Sequence, residues 1–112
     1  MSADETHFKL LKLLQANPNM SQRELSRELG ISLGKANYCI KALLDKGWIK
    51  VNNFRKNPRK LSYAYLLTPK GIEGKTTLTT RFLARKMREY EVLKQEIEEL
   101  TRDAAAQDQD PQ

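Results

Sequence analysis

Two short amphipathic segments joined by a glycine turn constrain the fold of this chain more than any other feature. The first segment begins at Ser21, where Ser-Gln-Arg-Glu fits the S-x-x-E capping box, and runs for about eight residues. Gly30 follows at the position where a left-handed residue ends a helix. After Gly30-Ile31-Ser32, a second segment begins with Ser32 as its N-cap and ends near Gly47. The pattern predicts two helices that bury their apolar faces against each other and so fix their crossing angle.

The second of these helices, residues 32–46, separates apolar and polar side chains onto opposite faces. At helical spacing the apolar face is formed by Leu33, Ala36, Ile40, Leu43 and Leu44. The opposite face carries Lys35, Asn37, Tyr38 and Lys41. A helix anchored on its apolar side leaves this polar face free to enter a DNA major groove, which is about 12 Å wide. A solvated helix face with no partner is the competing interpretation.

The flanking segments predict one more helix and a β-hairpin. An apolar stripe over Asp4 to Asn17 predicts a first helix that stops before Pro18. After Gly47 the hydrophobic period changes to two, which predicts a short strand at 48–51 and a longer one at 61–67. On the second strand, one face is expected to hold Leu61, Tyr63, Tyr65 and Leu67. The polar segment 52–60 between them predicts an extended, basic hairpin tip.

The carboxy-terminal third predicts a long helix. Thr68 and Pro69 fit an N-cap and a first helical position. Gly71 and Gly74 weaken the pattern, so we expect a break or a turn near 71–76. From Thr77 to about Ala104 the chain then reads as one helix of roughly 40 Å. Residues 105–112 are typical of a frayed, disordered tail.

The long helix carries a heptad seam. Leu83, Tyr90 and Ile97 lie seven residues apart, with Leu93 and Leu100 at the intervening positions and Lys86 interrupting the pattern. A helix this polar needs a partner to be stable. Dimerisation is therefore predicted through Phe82, Leu83, Met87, Tyr90, Leu93, Ile97 and Leu100. Packing on its own preceding domain is the alternative.

The distribution of charge points to a polyanion partner for the first two thirds of the chain. The 112 residues include 20 Lys and Arg against 14 Asp and Glu, a net charge of +6. Residues 1–75 hold 14 basic and 6 acidic side chains, whereas residues 76–112 hold 6 and 8. Seven basic residues and no acidic one occur from Lys46 to Lys70. Such a basic domain is typical of nucleic-acid binding.

Composition argues against several other classes. One cysteine and one histidine exclude an internal disulfide framework, a Cys-rich zinc site and a multi-histidine metal site. There is no Gly-rich phosphate loop or paired carboxylate motif, so we predict no enzyme activity, no cofactor and no metal. No apolar run approaches the roughly 20 residues of a membrane span, and the amino terminus lacks a basic signal-peptide region. A cytoplasmic protein is expected.

Together these features predict a mainly α fold with a small β-hairpin wing. We expect a winged helix-turn-helix domain at 4–75, a dimerisation helix at 76–104 and a disordered tail at 105–112. The segments MSQRELSRELGISLGKANYCIKALLDKGWIKV and YLLTPKG resemble the MarR family of bacterial winged-helix regulators, most closely its exopolysaccharide-associated branch. The resemblance covers residues 6–103. Most members are longer, with extra helices at both ends that build the dimer and a ligand pocket, whereas this chain has one long carboxy-terminal helix; the resemblance therefore leaves open whether it binds a small-molecule effector.

The resemblance implies a homodimeric transcription regulator that binds a pseudo-palindromic duplex operator, with exopolysaccharide biosynthesis genes as targets. It places Gly34 and Lys35 near the floor of the groove, followed by Asn37 and Tyr38. The implied DNA-contacting residues are Gln22, Arg23, Ser32, Gly34, Lys35, Asn37, Tyr38, Lys41 and, in the wing, Arg55, Lys56, Arg59 and Lys60. A winged-helix protein-interaction module and an RNA-binding domain are the alternatives.

Overall fold

The fold consists of four helices and one antiparallel hairpin. The computed structural model describes residues 2–57 and 60–108, with the side chains of 54–62 outside the description. The elements in chain order are α1 (Ala3–Ala16), α2 (Gln22–Leu29), α3 (Leu33–Asp45), β1 (Ile49–Asn57), β2 (Lys60–Leu67) and α4 (Pro69–Asp108). This order is that of a winged helix-turn-helix followed by a long carboxy-terminal helix, and it confirms the predicted fold class.

Serine hydroxyls cap the first three helices at their amino termini. Ser2 and Ser32 accept hydrogen bonds from the backbone amides three residues on, at 3.2 and 3.1 Å. Ser21 accepts from the Glu24 amide at 3.1 Å and donates its own hydroxyl to the Glu24 carboxylate at 3.2 Å. The serine half of the predicted capping box therefore forms, whereas the Glu24 carboxylate accepts from the serine hydroxyl in place of the Ser21 backbone amide. Gly30 ends α2 with φ +66°, the left-handed conformation that glycine adopts without strain.

The core lies among α1, α2, α3, the base of the hairpin and the first turns of α4. Its buried apolar side chains are Leu10, Leu11, Leu14, Met20, Leu25, Leu29, Ala36, Cys39, Ile40, Leu43, Ile49, Ala64, Tyr65 and Leu78. Most of the predicted apolar face of α3 is buried, but Leu33 is 43% exposed. Leu33 is the first residue of α3, where the helix has only just begun, and the helical spacing alone did not show that this end lies at the surface.

The hairpin is longer than its apolar pattern predicted. Strand pairing runs from Ile49 opposite Leu67 to Asn57 opposite Lys60, with an irregularity between Arg55 and Asn57. Much of the polar segment expected to form a loop is strand, because the ladder is held by backbone groups and needs no apolar side chains. The backbone amide of Tyr65 also donates to the Pro18 carbonyl at 3.0 Å, which ties the hairpin to the α1–α2 connection.

The face that the second strand was expected to bury is only partly buried. Tyr65 lies in the core, but Tyr63, two residues nearer the tip, is 48% exposed. Alternation places these two side chains on the same face, so the difference reflects distance from the core. Tyr63 is therefore not the core residue that the alternation predicted.

Helix α4 has no break at its two glycines, contrary to the prediction. A Cβ at Gly71 would lie 1.9 Å from the Trp48 carbonyl oxygen, and one at Gly74 would lie 2.6 Å from the indole ring. The glycines are thus explained by the close approach of Trp48 and not by a turn. The helix also continues to Asp108, so residues 105–108 are helical where a disordered tail was expected; residues 109–112 lie outside the description.

The chain divides into two compact units, residues 1–79 and residues 80–112. The division falls inside α4, four residues after the boundary expected from the sequence. The first unit holds α1 to α3, the hairpin and the first turns of α4, whereas the second holds the rest of that helix. Among the described residues, no helix combines the length and the apolar character needed to cross a membrane.

Candidate nucleic-acid interface

The outer face of α3 is a solvent-exposed polar surface. Every residue predicted to contact DNA on this helix and at its cap is exposed: Ser32, Gly34, Lys35, Asn37, Tyr38 and Lys41. Tyr38 is the extreme case, with 74% of its surface accessible although it is an aromatic residue. An aromatic side chain this exposed is unusual for a residue whose only role is in folding. We therefore take this surface, which we call the α3 outer face, as the centre of the candidate site.

Helical geometry explains why these side chains lie together. Each residue turns the helix by roughly 100°, so Gly34, Asn37, Tyr38 and Lys41 fall within about one third of its circumference. Lys35 lies beside them at the amino-terminal end. The buried residues Ala36, Cys39, Ile40 and Leu43 occupy the opposite side. The helix is thus anchored on one side and open on the other.

Both ends of α3 are fixed by specific contacts. The Ser32 hydroxyl caps the amino terminus. At the other end, Gly47 has φ +72°, and the amide of Trp48 donates to the Leu43 carbonyl at 3.0 Å. Lys46 places its ammonium 5.0 Å from the centre of the Trp48 ring, a cation–π contact. A helix held in this way presents the α3 outer face in one orientation.

Position 34 is a glycine, so no side chain projects from the start of the α3 outer face. A Cβ built at Gly34 would meet no atom within 4 Å. The glycine is therefore not required by packing inside the chain. A position without a side chain lets a helix backbone approach an external surface closely.

The two predicted contacts at the start of α2 differ in their environments. Arg23 is exposed. Gln22 is half-buried, and its side-chain amide donates to the Tyr65 hydroxyl at 3.3 Å. In this arrangement Gln22 joins α2 to the hairpin. This bond could not be predicted from local sequence patterns, because the two residues are 43 positions apart.

The predicted wing contacts are only partly described. Arg55, Lys56 and Lys60 lie on paired strands but their side chains are outside the described residues, as is the whole of Arg59. Nearer the base of the hairpin, Lys50, Asn52 and Asn53 are exposed. Lys50 belongs to the same acid-free stretch as the predicted wing residues but was not among the predicted contacts. It adds a positive charge at the base of the hairpin.

Burial shifts the pKa values of two titratable groups, His7 and Cys39. Burial lowers the pKa of His7 below its ordinary 6.5; nearby Lys46 adds to the effect and Asp4 opposes it. Burial also raises the pKa of the Cys39 thiol, and Lys35 partly counteracts this. Cys39 is a buried free cysteine, and its raised pKa disfavours the reactive thiolate. Within the described ranges, no group of three or more His, Cys, Asp or Glu side chains is placed to hold a metal ion.

In the second unit, most of the predicted dimerisation residues form an exposed apolar stripe. Leu83, Met87, Tyr90, Leu93, Ile97 and Leu100 are each more than half exposed. Phe82 differs, since it is half-buried with the Arg85 guanidinium 5.0 Å from its ring centre. Lys86, which interrupts the seam, pairs with Glu89 at 3.1 Å.

Comparisons with known proteins agree with the helix-turn-helix geometry. Residues 4–50 match a family model described as winged helix-turn-helix DNA-binding. A curated relative, the HTH-type transcriptional regulator Ptr1 of Methanocaldococcus jannaschii, is 38% identical over 60 residues, which are 54% of this chain and 40% of that protein. The chain spans less than two thirds of the length of the curated relatives it matches.

Solved structures share the fold over most of the chain. A transcriptional repressor, CouR, solved bound to a 23-mer DNA duplex, is 26% identical with a TM-score of 0.66, covering 89% of this chain and 70% of that one. A MarR/EmrR family transcriptional regulator from Acinetobacter sp. ADP1 is 22% identical with a TM-score of 0.62, covering 91% and 73%. These similar proteins are transcriptional regulators. The fold of the chain is therefore that of a winged helix-turn-helix protein, and it is similar to the fold of solved MarR-family transcriptional regulators.

Proposed function

We propose that this protein is a sequence-specific, homodimeric DNA-binding transcription regulator that inserts α3 into the major groove. The observation that carries the proposal is the α3 outer face, which exposes a polar surface including Tyr38 while the opposite side of the helix is buried. No acidic residue occurs on α3 before Asp45, so its first three turns suit a polyanion. The DNA-bound CouR complex, in the same fold, supports the choice of duplex DNA as the partner.

Base recognition is assigned to three side chains of the α3 outer face. Lys35 is suited to the O6 and N7 acceptors of guanine, and Asn37 to a bidentate pair with adenine. Tyr38 is assigned to a thymine methyl group or a phosphate. Gly34 leaves room for the helix to approach the base edges. These contacts determine which sequence is bound.

Phosphate contacts are assigned to the periphery of the site. Arg23 and Ser32 lie at helix amino termini, where backbone amides favour anions. Lys41 extends the positive surface along α3. On the wing, the proposed contacts are Arg55, Lys56, Arg59 and Lys60. These interactions are expected to supply most of the affinity and to make it sensitive to salt.

A homodimer is proposed because α4 exposes an apolar stripe to solvent, and burying this stripe against a second copy would be favourable. A two-fold dimer would place two copies of α3 in successive major grooves, about 34 Å apart, on a pseudo-palindromic operator. Exopolysaccharide biosynthesis genes are the proposed targets, on the strength of the resemblance to that branch of the family.

The test is selection of bound sequences from random duplexes, followed by binding measurements with single variants. Lys35→Ala and Asn37→Ala are expected to lose about 1–3 kcal/mol on the selected operator and much less on random DNA. Lys12→Ala, which removes an exposed lysine from α1, is the matched control and should leave the discrimination unchanged.

Two results would contradict the proposal. Equal losses on operator and random DNA would remove Lys35 and Asn37 as base readers. Preference for single strands or hairpin RNA, or no binding to nucleic acid at moderate salt, would favour the RNA-binding or protein-interaction alternatives.

A further inference from the structure

We infer that the exposed seam of α4 pairs in parallel with the seam of a second copy, with Glu89 of each copy facing Lys94 of the other. The inference rests on the proposed homodimer and adds its direction and register. Either a parallel or an antiparallel pair would cover the apolar stripe, so the stripe alone does not decide between them. The charged residues that border the stripe decide between the two arrangements.

The seam defines the positions that border it. Leu83, Tyr90 and Ile97 occupy heptad position a, and Leu93 and Leu100 occupy position d. All five side chains are more than half exposed in the single chain. The bordering positions are then Phe82, Glu89 and Glu96 at g, and Met87, Lys94 and Thr101 at e.

A parallel pair brings each g residue to the e residue five positions later on the other helix. Phe82 then meets Met87, which are both apolar. Glu89 meets Lys94, which carry opposite charges. Glu96 meets Thr101, which is neutral. Because of the two-fold axis each contact forms twice, and none of the three places like charges together.

An antiparallel pair brings g residues to g residues and e residues to e residues. Matching position a of one helix to position d of the other sets Leu83 opposite Leu100 and Tyr90 opposite Leu93. In that register Glu89 lies near Glu96 of the other copy, and this repulsion also occurs twice. The flanking charges therefore favour the parallel arrangement.

Lys86 is the least favourable residue of the parallel seam, since at position d it would face Lys86 of the other copy. Its ammonium is 3.1 Å from the Glu89 carboxylate within the same helix. This pair offsets part of the like-charge repulsion. Glu89 thus lies between one lysine of its own helix and one lysine of the second copy.

Charge reversal on full-length protein tests the inference by sedimentation. Lys94→Glu sets two glutamates against each other in the parallel pair and should weaken the dimer about tenfold, because two surface pairs change at once. Combining it with Glu89→Lys restores opposite charges and should recover most of the affinity. Glu91→Lys makes the same change as Glu89→Lys at position b, away from the seam, and serves as the control.

The antiparallel arrangement predicts the opposite sign for one variant. There, Glu89→Lys replaces a repulsion with Glu96 by an attraction and should strengthen the dimer. A tighter Glu89→Lys dimer would overturn the parallel pairing. Circular dichroism on each variant separates these effects from loss of helix, since Glu89→Lys also breaks the pair with Lys86.

Cysteine cross-linking gives an independent result in a Cys39→Ala background. In a parallel pair, Leu83→Cys and Leu100→Cys should each form a disulfide with itself. In the antiparallel pair, identical positions would be 17 residues apart, about 25 Å, and only a mixture of the two variants would cross-link.

Failure of the proposed homodimer and failure of the parallel pairing give different results. A chain that sediments as a monomer overturns the proposed homodimer. A dimer that cross-links only as the mixture, or not at all at these positions, overturns the parallel seam and leaves the homodimer intact.

Discussion

Trp48 connects three parts of the first unit. Its amide donates to the Leu43 carbonyl at the end of α3, and its carbonyl accepts from the Thr68 amide at 2.9 Å just before α4. Its ring lies against Gly74, and its backbone against Gly71. The orientation of α3 therefore depends on a residue outside it, whose neighbours must have no side chain.

Gly71→Ala is expected to destabilise the protein by about 3 kcal/mol, because the added methyl group would overlap the Trp48 carbonyl. Gly34→Ala is the matched control, since it adds the same group to a helix where nothing lies within 4 Å. The control should gain about 0.5–1 kcal/mol from the better helix propensity of alanine. Urea unfolding measures both, and equal stability of the two variants would contradict the close packing at Gly71.

Stability is expected to fall as pH is lowered through the titration of His7. The folded chain holds the imidazole pKa below 6.5, the ordinary value that the unfolded chain retains. The unfolded state therefore binds the proton first, so the contribution of neutral His7 is complete above pH 6.5 and is lost as pH falls toward the lowered pKa.

The measurement is the free energy of unfolding at a series of pH values from about 7.5 to about 5. His7→Gln, which does not titrate there, should show a flatter dependence than the natural chain. The same slope in both proteins would mean that another group is responsible.

At the scale of elements, α3 exposes one face in the first unit, and the part of α4 after Thr79 exposes one face in the second unit. The uncovered face of α3 is polar, and its proposed partner is DNA. The uncovered face of α4 is apolar, and its proposed partner is a second copy of the same helix. The division of the chain at Thr79 matches this difference in surface. The two proposed partners are therefore bound by chemically distinct surfaces of one chain.

Leu93→Ala should weaken the proposed dimer by about 1–2 kcal/mol through loss of buried apolar surface. Val92→Ala is the control, because Val92 is 55% exposed and Leu93 is 53% exposed in the single chain. Of these two residues, only Leu93 lies in the heptad seam. Equal dimer dissociation constants for the two variants would argue against the seam as the interface.

At the scale of the whole molecule, the basic first two thirds and the mildly acidic last third predict DNA binding that depends on salt. Arg59→Ala should weaken binding to all sequences alike and lower the slope of log affinity against log salt by about one. Binding isotherms at several salt concentrations measure this slope. If it does not change, Arg59 makes no phosphate contact.

The order of the elements and the ends of the short helices could be predicted from local sequence patterns. Ser21, Gly30 and Ser32 act through bonds or dihedral angles within a few residues, so their roles follow from local chemistry. The polar face of α3 was predicted for a similar reason, since helical spacing alone places its residues together. The winged helix-turn-helix fold followed from these local patterns taken together.

Features that join distant positions became visible only in the folded chain. The Gly71 and Gly74 pattern reads locally as a break, but Trp48 fills the space beside them and the helix is continuous. The bond from Gln22 to Tyr65, the exposure of Tyr63 and the length of the hairpin depend in the same way on what lies nearby in space. Local sequence encodes backbone preference, whereas close packing is set by atoms that the chain brings together only on folding.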